Sequence, residues 1–573
     1  MQQSKRGEVV NVKLSGAQIV MEILKEEGVD TVFGITGGAA IELYDELAKT
    51  DIRHIMVRHE QGAVHAADGY ARTKKGVGVC MVTSGPGATN TVSGIASAYM
   101  DSIPLVVFTA QVPTHLIGND AFQEVDIVGI TRPCTKHNYL VRSIGDLART
   151  VKEAFYIARS GRPGPVLVDI PKDITQSKTD YNPLSMPSLK SYNPRYKPNM
   201  KQLKWAIEHI KEAKKPAIFA GGGVILSGAS EELAKFARRL KAPVTASLMG
   251  LGAFPASDRL WLGMVGMHGT YRANMSVQSC DLLIGIGVRF DDRVTGKLGT
   301  FAPHAKIIHI DIDPASIRKN IPVTVPIVGD CKVSITELNS LLDKEQFTPD
   351  PESSKLWLDQ IEQWRNTIPL AYEQSDTIKP QYVVKKLYEL TDGKAIITTE
   401  VGQNQMWAAQ YYHFDEPNCF ITSGGLGCMG FGFPAAIGAQ VARPDKLVVD
   451  IAGDGSIQMN IQELATAIQY RLPVKIVILN NRYLGMVRQW QELFYQKRYA
   501  STDIEQAPDF VKLAEAYGGV GLRATRPEEV EPVLKEGLST PNLVIMDFLV
   551  EREEGVYPMV PAGAPITDML LVN

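Results

Sequence analysis

The chain has 573 residues, 45% of them apolar and 21% charged, with a formal net charge of −3. That length predicts about three to four domains of soluble globular composition, and the near-neutral charge excludes the electrostatic footprint of a nucleic-acid binder. Six scattered cysteines (80, 134, 280, 331, 419, 428) show no C-x-x-C spacing, which points to reduced thiols in a cytoplasmic setting rather than a disulfide framework.

The opening, "MQQSKRGEVVNVKLS", lacks the apolar core of a signal peptide. In the first third, "IRHIMVRHEQGAVHAADGYAR" runs from a strand into a helix, with Glu60 at the junction. The helix macrodipole accounts for a lone carboxylate there; a chemical role needs a partner that wants a buried carboxylate. "TQSKTDYNPLSMPSLKSYNPRYKPNM" (175–200) has four prolines and little periodicity, and "DKEQFTPDPESSK" (343–355) is polar and proline-bearing. Both read as inter-domain crossings. The chain thus divides into 1–180, 190–345 and 355–573. Each part alternates strand and helix signals, so the expected fold class is α/β, with three doubly wound parallel-sheet domains.

The middle part carries "AIFAGGGV" (217–224), "LLIGIGVRFDDR" (282–293) and "IIHIDIDP" (307–314). These are strand ends bearing glycines and acids, as in nucleotide-binding sheets. No G-x-G-x-x-G is present, so the residues by themselves leave dinucleotide binding open. Residues 417–442 are uncharged and long enough to span a bilayer. Their six glycines, with Ser, Thr and Pro, favour a glycine-rich loop followed by a buried helix, so no membrane segment is expected.

In the last part, "VVDIAGDGSIQMN" (448–460) is an apolar strand that stops at Gly453-Asp454-Gly455. Ile461, Leu464, Ala465, Ile468 and Leu472 then recur at helical spacing, and "VKIVILNN" forms a second buried strand ending at Asn480-Asn481. A β-α-β unit closes with parallel strands, which brings Asp454 and Asn481 to the same sheet edge, where open α/β sheets bind ligands. A helix beginning after Gly455, at Ser456, would turn free N–H groups toward a phosphate. A carboxylate and an amide oxygen suit Mg²⁺ completed by phosphate and water. Gly453 and Gly455 let the backbone approach the ligand. An ordinary Asp-containing turn is the plain alternative, and the paired asparagines at the next strand end weigh against it. The stretch "AADGYARTKKGVGVCMVTSGPG" (66–87) echoes "AAIGAQVARPDKLVVDIAGDG" (435–455), suggesting two related domains and a site between such a pair.

Gly453-Asp454-Gly455, 24 residues and then Asn480-Asn481 resembles the thiamin-diphosphate motif. "RHEQG" around Glu60 resembles the activating glutamate of that superfamily. "SGRPGPVLVDIPKDI" (160–174), "DAFQEVDIVGITRPCTKHN" (120–138), "GVRFDDRVTGK" (287–297), "GLGCMGFGFPAAIGA" (425–439) and "GMVRQWQELFY" (485–495) resemble the acetohydroxyacid synthase catalytic subunit family, in order along nearly the whole chain.

The resemblance implies thiamin-diphosphate enzyme architecture, with an N-terminal pyrimidine-binding, a central FAD-binding and a C-terminal diphosphate-binding domain with a closing tail (556–563). It implies decarboxylation of pyruvate and transfer of the two-carbon unit to pyruvate or 2-ketobutyrate, in branched-chain amino acid biosynthesis. Thiamin diphosphate, Mg²⁺ and FAD are the implied cofactors, with no net electron transfer through the flavin. Glu60 would share a proton with the pyrimidine ring nitrogen, and Met459 would support the bent cofactor. Asp454, Asn481 and the Tyr483 carbonyl would hold Mg²⁺, and Gly453, Gly455 and Ser456 would form the diphosphate turn. Val401, Gly402, Gln403, Gly427 and Met429 would line the cofactor, with Gln123, Lys136, Met486 and Trp490 facing the cleft. Arg162, Gly222, Gly223, His268, Arg289, Arg293, Asp311 and Asp330 would hold FAD. The implied assembly is a homodimer, or dimer of dimers, with the active site at the subunit interface, and a small regulatory subunit as partner.

Thr36 and Asn404 depart from the usual family residues, proline and histidine. For Met459, Gln123, Lys136 and the helical stripe Met486, Trp490, Leu493, Phe494, the plain readings are core packing or solvated polar residues. A flavin-dependent pyruvate oxidase, a catabolic acetolactate synthase and a non-catalytic nucleotide-binding protein remain alternatives. The "GMVRQWQ" helix, the signature at 287–297, and the joint presence of Glu60, Asp454 and Asn481 respectively separate them.

Overall fold

Runs such as Val448–Gly453 and Lys475–Asn480 are buried along their length, a pattern suited to strands covered by helices on both faces of a parallel sheet. The computed structural model describes residues 12–183, 189–506 and 508–571. Among them are three six-stranded sheets in which every neighbouring pair is parallel. The α/β reading from alternating strand and helix signals is borne out.

The chain divides into two compact units, Met1–Asn193 and Pro194–Asn573. In the first, the sheet runs Arg53–Met56, Thr31–Ile35, Gly78–Val82, Leu105–Gln111, Val166–Pro171, His137–Leu140. Numbered along the chain, that order is 2-1-3-4-6-5. The second unit holds two sheets. One runs Trp261–Met264, Val244–Ala246, Pro216–Ala220, Leu282–Ile286, Lys306–Asp311, Val325–Val328, which is 3-2-1-4-5-6, the order of dinucleotide-binding sheets. The other runs Phe420–Ile421, Ile396–Thr399, Val448–Gly453, Lys475–Asn480, Val544–Leu549, Val520–Ala524, again 2-1-3-4-6-5. The sequence echo between 66–87 and 435–455 therefore falls on the third strand of two sheets with the same winding.

Three expectations are corrected. The segment 175–200 is not all linker, because Lys178–Tyr181 pairs antiparallel with Val12–Ser15; its residues 184–188 lie outside the described ones, as does most of the opening stretch (1–11). The segment 343–355 narrows to a short connection, because Asp350 accepts a hydrogen bond from the Ser353 amide and starts the helix Pro351–Thr367. The helix expected directly after Gly455 is instead a 3₁₀ stretch, Ile457–Glu463, followed by the α-helix Leu464–Gln469. The break is at Asn460, whose φ of −132° is non-helical. Its side-chain amide is drawn to the Gly430 carbonyl at 2.6 Å. The helix Gly432–Ala442 is buried throughout nearly all its length, as the uncharged segment 417–442 suggested. Among the described residues no helix is long and apolar enough to cross a membrane, and all six cysteines are free.

Candidate functional site

Gly453 is in register with Leu479 across the parallel pair, so the next turns carry Asp454 and Asn481 out at one sheet edge. Asp454 is 1% exposed, and among the described residues neither of its carboxylate oxygens has a side-chain hydrogen-bond partner; the backbone N–H groups of Asp454, Asn481 and Arg482 lie near them. Desolvation pushes its carboxyl up to about 7, with the Asp547 charge adding, while the peptide dipoles at Asp454, Asn481 and Arg482 pull the other way. A buried carboxylate left bare is costly and calls for a counter-ion. Asn481 Oδ1 accepts from the Tyr483 amide at 3.1 Å, and its Nδ2 donates to Gln403 Oε1 at 3.0 Å. Among the described residues no three His, Cys, Asp or Glu side chains cluster to hold a metal by themselves. One carboxylate with neutral oxygens fits a hard divalent ion that takes its remaining ligands from phosphate and water.

Two carboxyl groups that sequence reasoning missed stand beside this edge. Glu400, at the end of Ile396–Thr399, is fully buried and accepts from the amides of Gly430 (2.7 Å) and Phe433 (3.1 Å). It thereby fixes the loop carrying Gly427 and Met429 to the one carrying Val401, Gly402 and Gln403. Asp450, in the neighbouring strand, accepts from Thr398 Oγ1 at 3.0 Å. Desolvation raises both carboxyls, Glu400 to about 8, and the Glu400 charge raises Asp450 further. Both carboxyls therefore hold protons more tightly than exposed ones, and the amides of Gly430 and Phe433 favour the negative charge on Glu400 over Asp450. Raised folded values mean that the native state binds more protons than the unfolded chain. The stability contributed is full below the unfolded carboxyl range, near 4, and is lost as pH rises through the folded values. Asp450→Asn should therefore flatten the decline in unfolding free energy between pH 5 and 8, measured by denaturant titration, by up to about 1.4 kcal/mol per pH unit for one proton removed. A decline as steep as wild type would place that proton elsewhere. Asn404, where the family usually has histidine, is buried and donates to the carbonyls of Glu400 (2.9 Å) and Ile451 (2.8 Å), joining the first and third strands; Thr36 is exposed.

The helix Gly485–Phe494 reverses the plain reading of its apolar stripe. Its buried residues are Arg488 and Gln489, both 0% exposed, whereas Phe494 is 47% exposed. The reason is the partner. The inward face meets main-chain carbonyls of the tail, where Arg488 donates to the Glu553 carbonyl (2.9 Å); its other donor goes to the Glu492 carboxylate one turn on in the same helix (2.8 Å). Met486 packs only partly against the core. The Trp490 ring lies 5.7 Å beneath the Arg293 guanidinium. Met459, 53% exposed, is not core either. The tail is folded down rather than loose, with Val556, Met559, Val560 and Ile566 buried.

In the central sheet Gly222 and Gly223 follow the first strand at the point where the strand order reverses, beside the fourth. A Cβ on Gly223 would come within 2.6 Å of the Gly287 Cα, so only glycines let these two loops touch. His268 is buried near the Pro558 carbonyl, and desolvation lowers it to about 4, leaving it neutral. Arg293 is exposed on one side of Trp490, and Arg289 is half-buried. Asp311 accepts from the Asp313 amide at 2.8 Å, and Asp330 caps the helix Cys331–Lys344 through the Val333 amide at 3.0 Å. Both acids thus serve their own loops.

In the first unit Glu60 opens the helix Glu60–Lys74, as the strand-to-helix junction suggested. Its Oε2 accepts from Asn90 Nδ2 at 2.9 Å. Asn90 was not singled out in sequence, although it follows the glycine turn that echoes Gly453-Asp454-Gly455. Gln123 adopts a positive φ of 59° against Gly85. The Lys136 ammonium donates to the carbonyls of Ile157 and Ser160 at a helix end, and Arg162 Nε donates to Ser102 at 2.8 Å.

The chain matches three families: thiamine pyrophosphate enzyme N-terminal TPP binding domain over 14–130, central domain over 203–338 and C-terminal TPP binding domain over 400–548. It is similar to the acetolactate synthase large subunit of Haemophilus influenzae, 51% identical over 565 residues and 98% of each chain. It resembles the acetolactate synthase isozyme 3 large subunit of Escherichia coli equally, 51% over 97% of this chain and 98% of that one. It is 49% identical to acetolactate synthase 2, chloroplastic, of Nicotiana tabacum, over 97% and 85%. With each sheet matched by its own domain and half of the positions shared over almost the full length, the chain belongs to the acetolactate synthases, a family of thiamin-diphosphate enzymes.

Proposed function

We propose that this chain decarboxylates pyruvate and joins the two-carbon unit to a second pyruvate, giving 2-acetolactate, or to 2-ketobutyrate, giving 2-aceto-2-hydroxybutyrate. This would be the first common step of branched-chain amino acid biosynthesis, in the cytoplasm. The observation that carries the reading is the buried Asp454, with two oxygens that lack a side-chain partner beside Asn481 at the sheet edge. When bound, thiamin diphosphate supplies the electron sink that a departing carboxylate requires.

The residues take these roles. Asp454, Asn481 and the Tyr483 carbonyl hold Mg²⁺ against the diphosphate, which meets the backbone of Gly453, Gly455 and Ser456. Val401, Gly402, Gln403, Gly427 and Met429 line the cofactor, and the half-exposed Met459 supports it. Glu60 holds a proton at the pyrimidine ring nitrogen, with Asn90 fixing its other oxygen. Gln123 and Lys136 face the substrate cleft. The central sheet, with Gly222, Gly223, His268, Arg289, Arg293, Asp311 and Asp330, holds FAD; Arg162 is assigned to FAD on the family resemblance alone. The 3-2-1-4-5-6 order and the glycines at its reversal support that assignment. The domains are 1–180, 190–345 and 355–573, with the first limit extended to include the strand ending at Tyr181 and the last to include the helix starting at Pro351. The active unit is a homodimer or a dimer of dimers with the site at the subunit interface. Relatives named as large subunits support a small regulatory partner.

A product assay with pyruvate, alone and with 2-ketobutyrate, together with an absorption spectrum, tests the reading. The expected protein is yellow and turns over without an electron acceptor. A requirement for oxygen or quinone, or stoichiometric flavin reduction, would favour an oxidase.

Trp490 sets the choice of acceptor in this proposal. Its helix follows Asn481 closely, and its indole is not core. One methylene separates the two acceptors, which a pocket discriminates by about 1–3 kcal/mol. Trp490→Leu should still make acetolactate but lose most of any preference for 2-ketobutyrate. The ratio of the two products in competition reads this, and an unchanged ratio with activity retained would remove Trp490 from the pocket.

A further inference from the structure

Asn481 can serve a cation only through Oδ1; turned over, its amide would present two hydrogens instead. Its sense is set from both ends: the Tyr483 amide donates to Oδ1 at 3.1 Å, and Nδ2 is held by a chain of side-chain amides that starts on main chain. Gln489 is buried, and its amide lies flat against the peptide of Val556 in the tail: the Val556 N–H donates to Oε1 (2.9 Å) and Nε2 donates to the Val556 carbonyl (3.0 Å). A backbone N–H only donates and a carbonyl only accepts, so this pairing leaves the Gln489 amide one orientation. Its Oε1 also receives Gln403 Nε2 at 3.0 Å, and that same nitrogen donates to the Glu554 carbonyl at 2.9 Å. Gln403 must therefore turn its Oε1 the other way, where it receives Asn481 Nδ2. Asn481 Oδ1 then faces away from the relay. Gln403 is 3%, Asn481 4% and Gln489 0% exposed, so water does not substitute for any link.

We infer that Gln489 is a positioning residue, through which the tail backbone at Glu554 and Val556 sets the oxygen of Asn481 toward the metal. The inference rests on the Mg²⁺ reading proposed above. Gly485 belongs to the same device. A Cβ there would land on Gln403 Oε1 and lie 2.7 Å from Asn481 Nδ2. Both neighbours are ends of flexible side chains, so an alanine is accommodated by parting that hydrogen bond while the helix is retained. Because coupling is reciprocal, a metal that needs the relay intact must in turn hold the tail more tightly.

The test titrates Mg²⁺ into the full-length protein with thiamin diphosphate present, and follows hydrogen exchange at Val560, whose amide bonds the Met267 carbonyl at 2.8 Å. Outer-shell partners of metal ligands change affinity by about 10–100-fold. In wild type, Mg²⁺ should slow exchange at Val560. Gln489→Leu, which keeps the side-chain volume, and Gly485→Ala, which adds one carbon, should each weaken Mg²⁺ by about 10–100-fold and uncouple Val560 exchange from the metal. If Gln489→Leu does not fold, Gly485→Ala decides alone. Wild-type affinity with metal-linked exchange preserved in a folded variant overturns the relay. Metal-independent cofactor binding in wild type overturns the Mg²⁺ reading instead.

Discussion

Asp454→Ala should abolish Mg²⁺-dependent binding of thiamin diphosphate, the largest single effect expected on cofactor affinity. The side chain has two buried oxygens without a side-chain partner, and it supplies the only charge in the proposed donor set. The metal-free apoprotein should not suffer in step, because the substitution also removes a desolvated carboxyl. Calorimetric titration of the cofactor with and without Mg²⁺ measures both, and an unchanged affinity would sink the metal assignment. The same carboxyl makes loading pH-dependent in a definite direction. Its value in the metal-free protein is about 7, so below neutrality a proton competes with the cation. Apparent Mg²⁺ affinity should climb steeply up to about pH 7 and level off only near pH 8, about one unit above that value.

Glu60→Gln should preserve the fold and most cofactor affinity while slowing activation by roughly 10²–10⁴-fold, the range for a positioned proton transfer. Gln is isosteric, and its amide can still meet Asn90, which now donates to the glutamate at 2.9 Å. What is lost is the group proposed to exchange a proton at the pyrimidine nitrogen. Hydrogen–deuterium exchange at C2 of the bound cofactor isolates that step from carbon–carbon bond formation. A wild-type exchange rate in the variant would remove Glu60 from the activating role.

The parts of this site that follow from short-range pattern were readable in the chain. Two apolar runs ending in Asp454 and Asn481 had to emerge on one edge, because a β-α-β crossover closes in parallel. Glu60 had to open a helix, since the β-rich run ends just before it. The Glu400–Asp450 pair was hidden because Asp450 looks like a blemish inside "VVDIAG", and its stabilising neighbour lies on a different strand. The polarity of Gly485–Phe494 was hidden for a related reason. Apolar spacing reports which face could enter a core, but here the covering surface is main chain from residues 553–556, whose carbonyls select Arg488 and Gln489. The break at Asn460 escaped because helical spacing does not register one side chain pulled aside by a distant carbonyl.

The inverted helix also has a consequence for the order in which the protein is made. Arg488 and Gln489 turn inward but lack their main-chain partners until residues 553–556 exist. Val556 is synthesised 75 residues after Asn481. At about 5–20 residues per second, that is roughly 4–15 seconds during which the strands on either side of Asp454 can already form their core. Throughout that interval the amide chain to Asn481 lacks its main-chain anchor. On the relay proposed above, the nascent domain therefore passes through a stage in which the strands Val448–Gly453 and Lys475–Asn480 exist and Asn481 is not yet anchored to the tail.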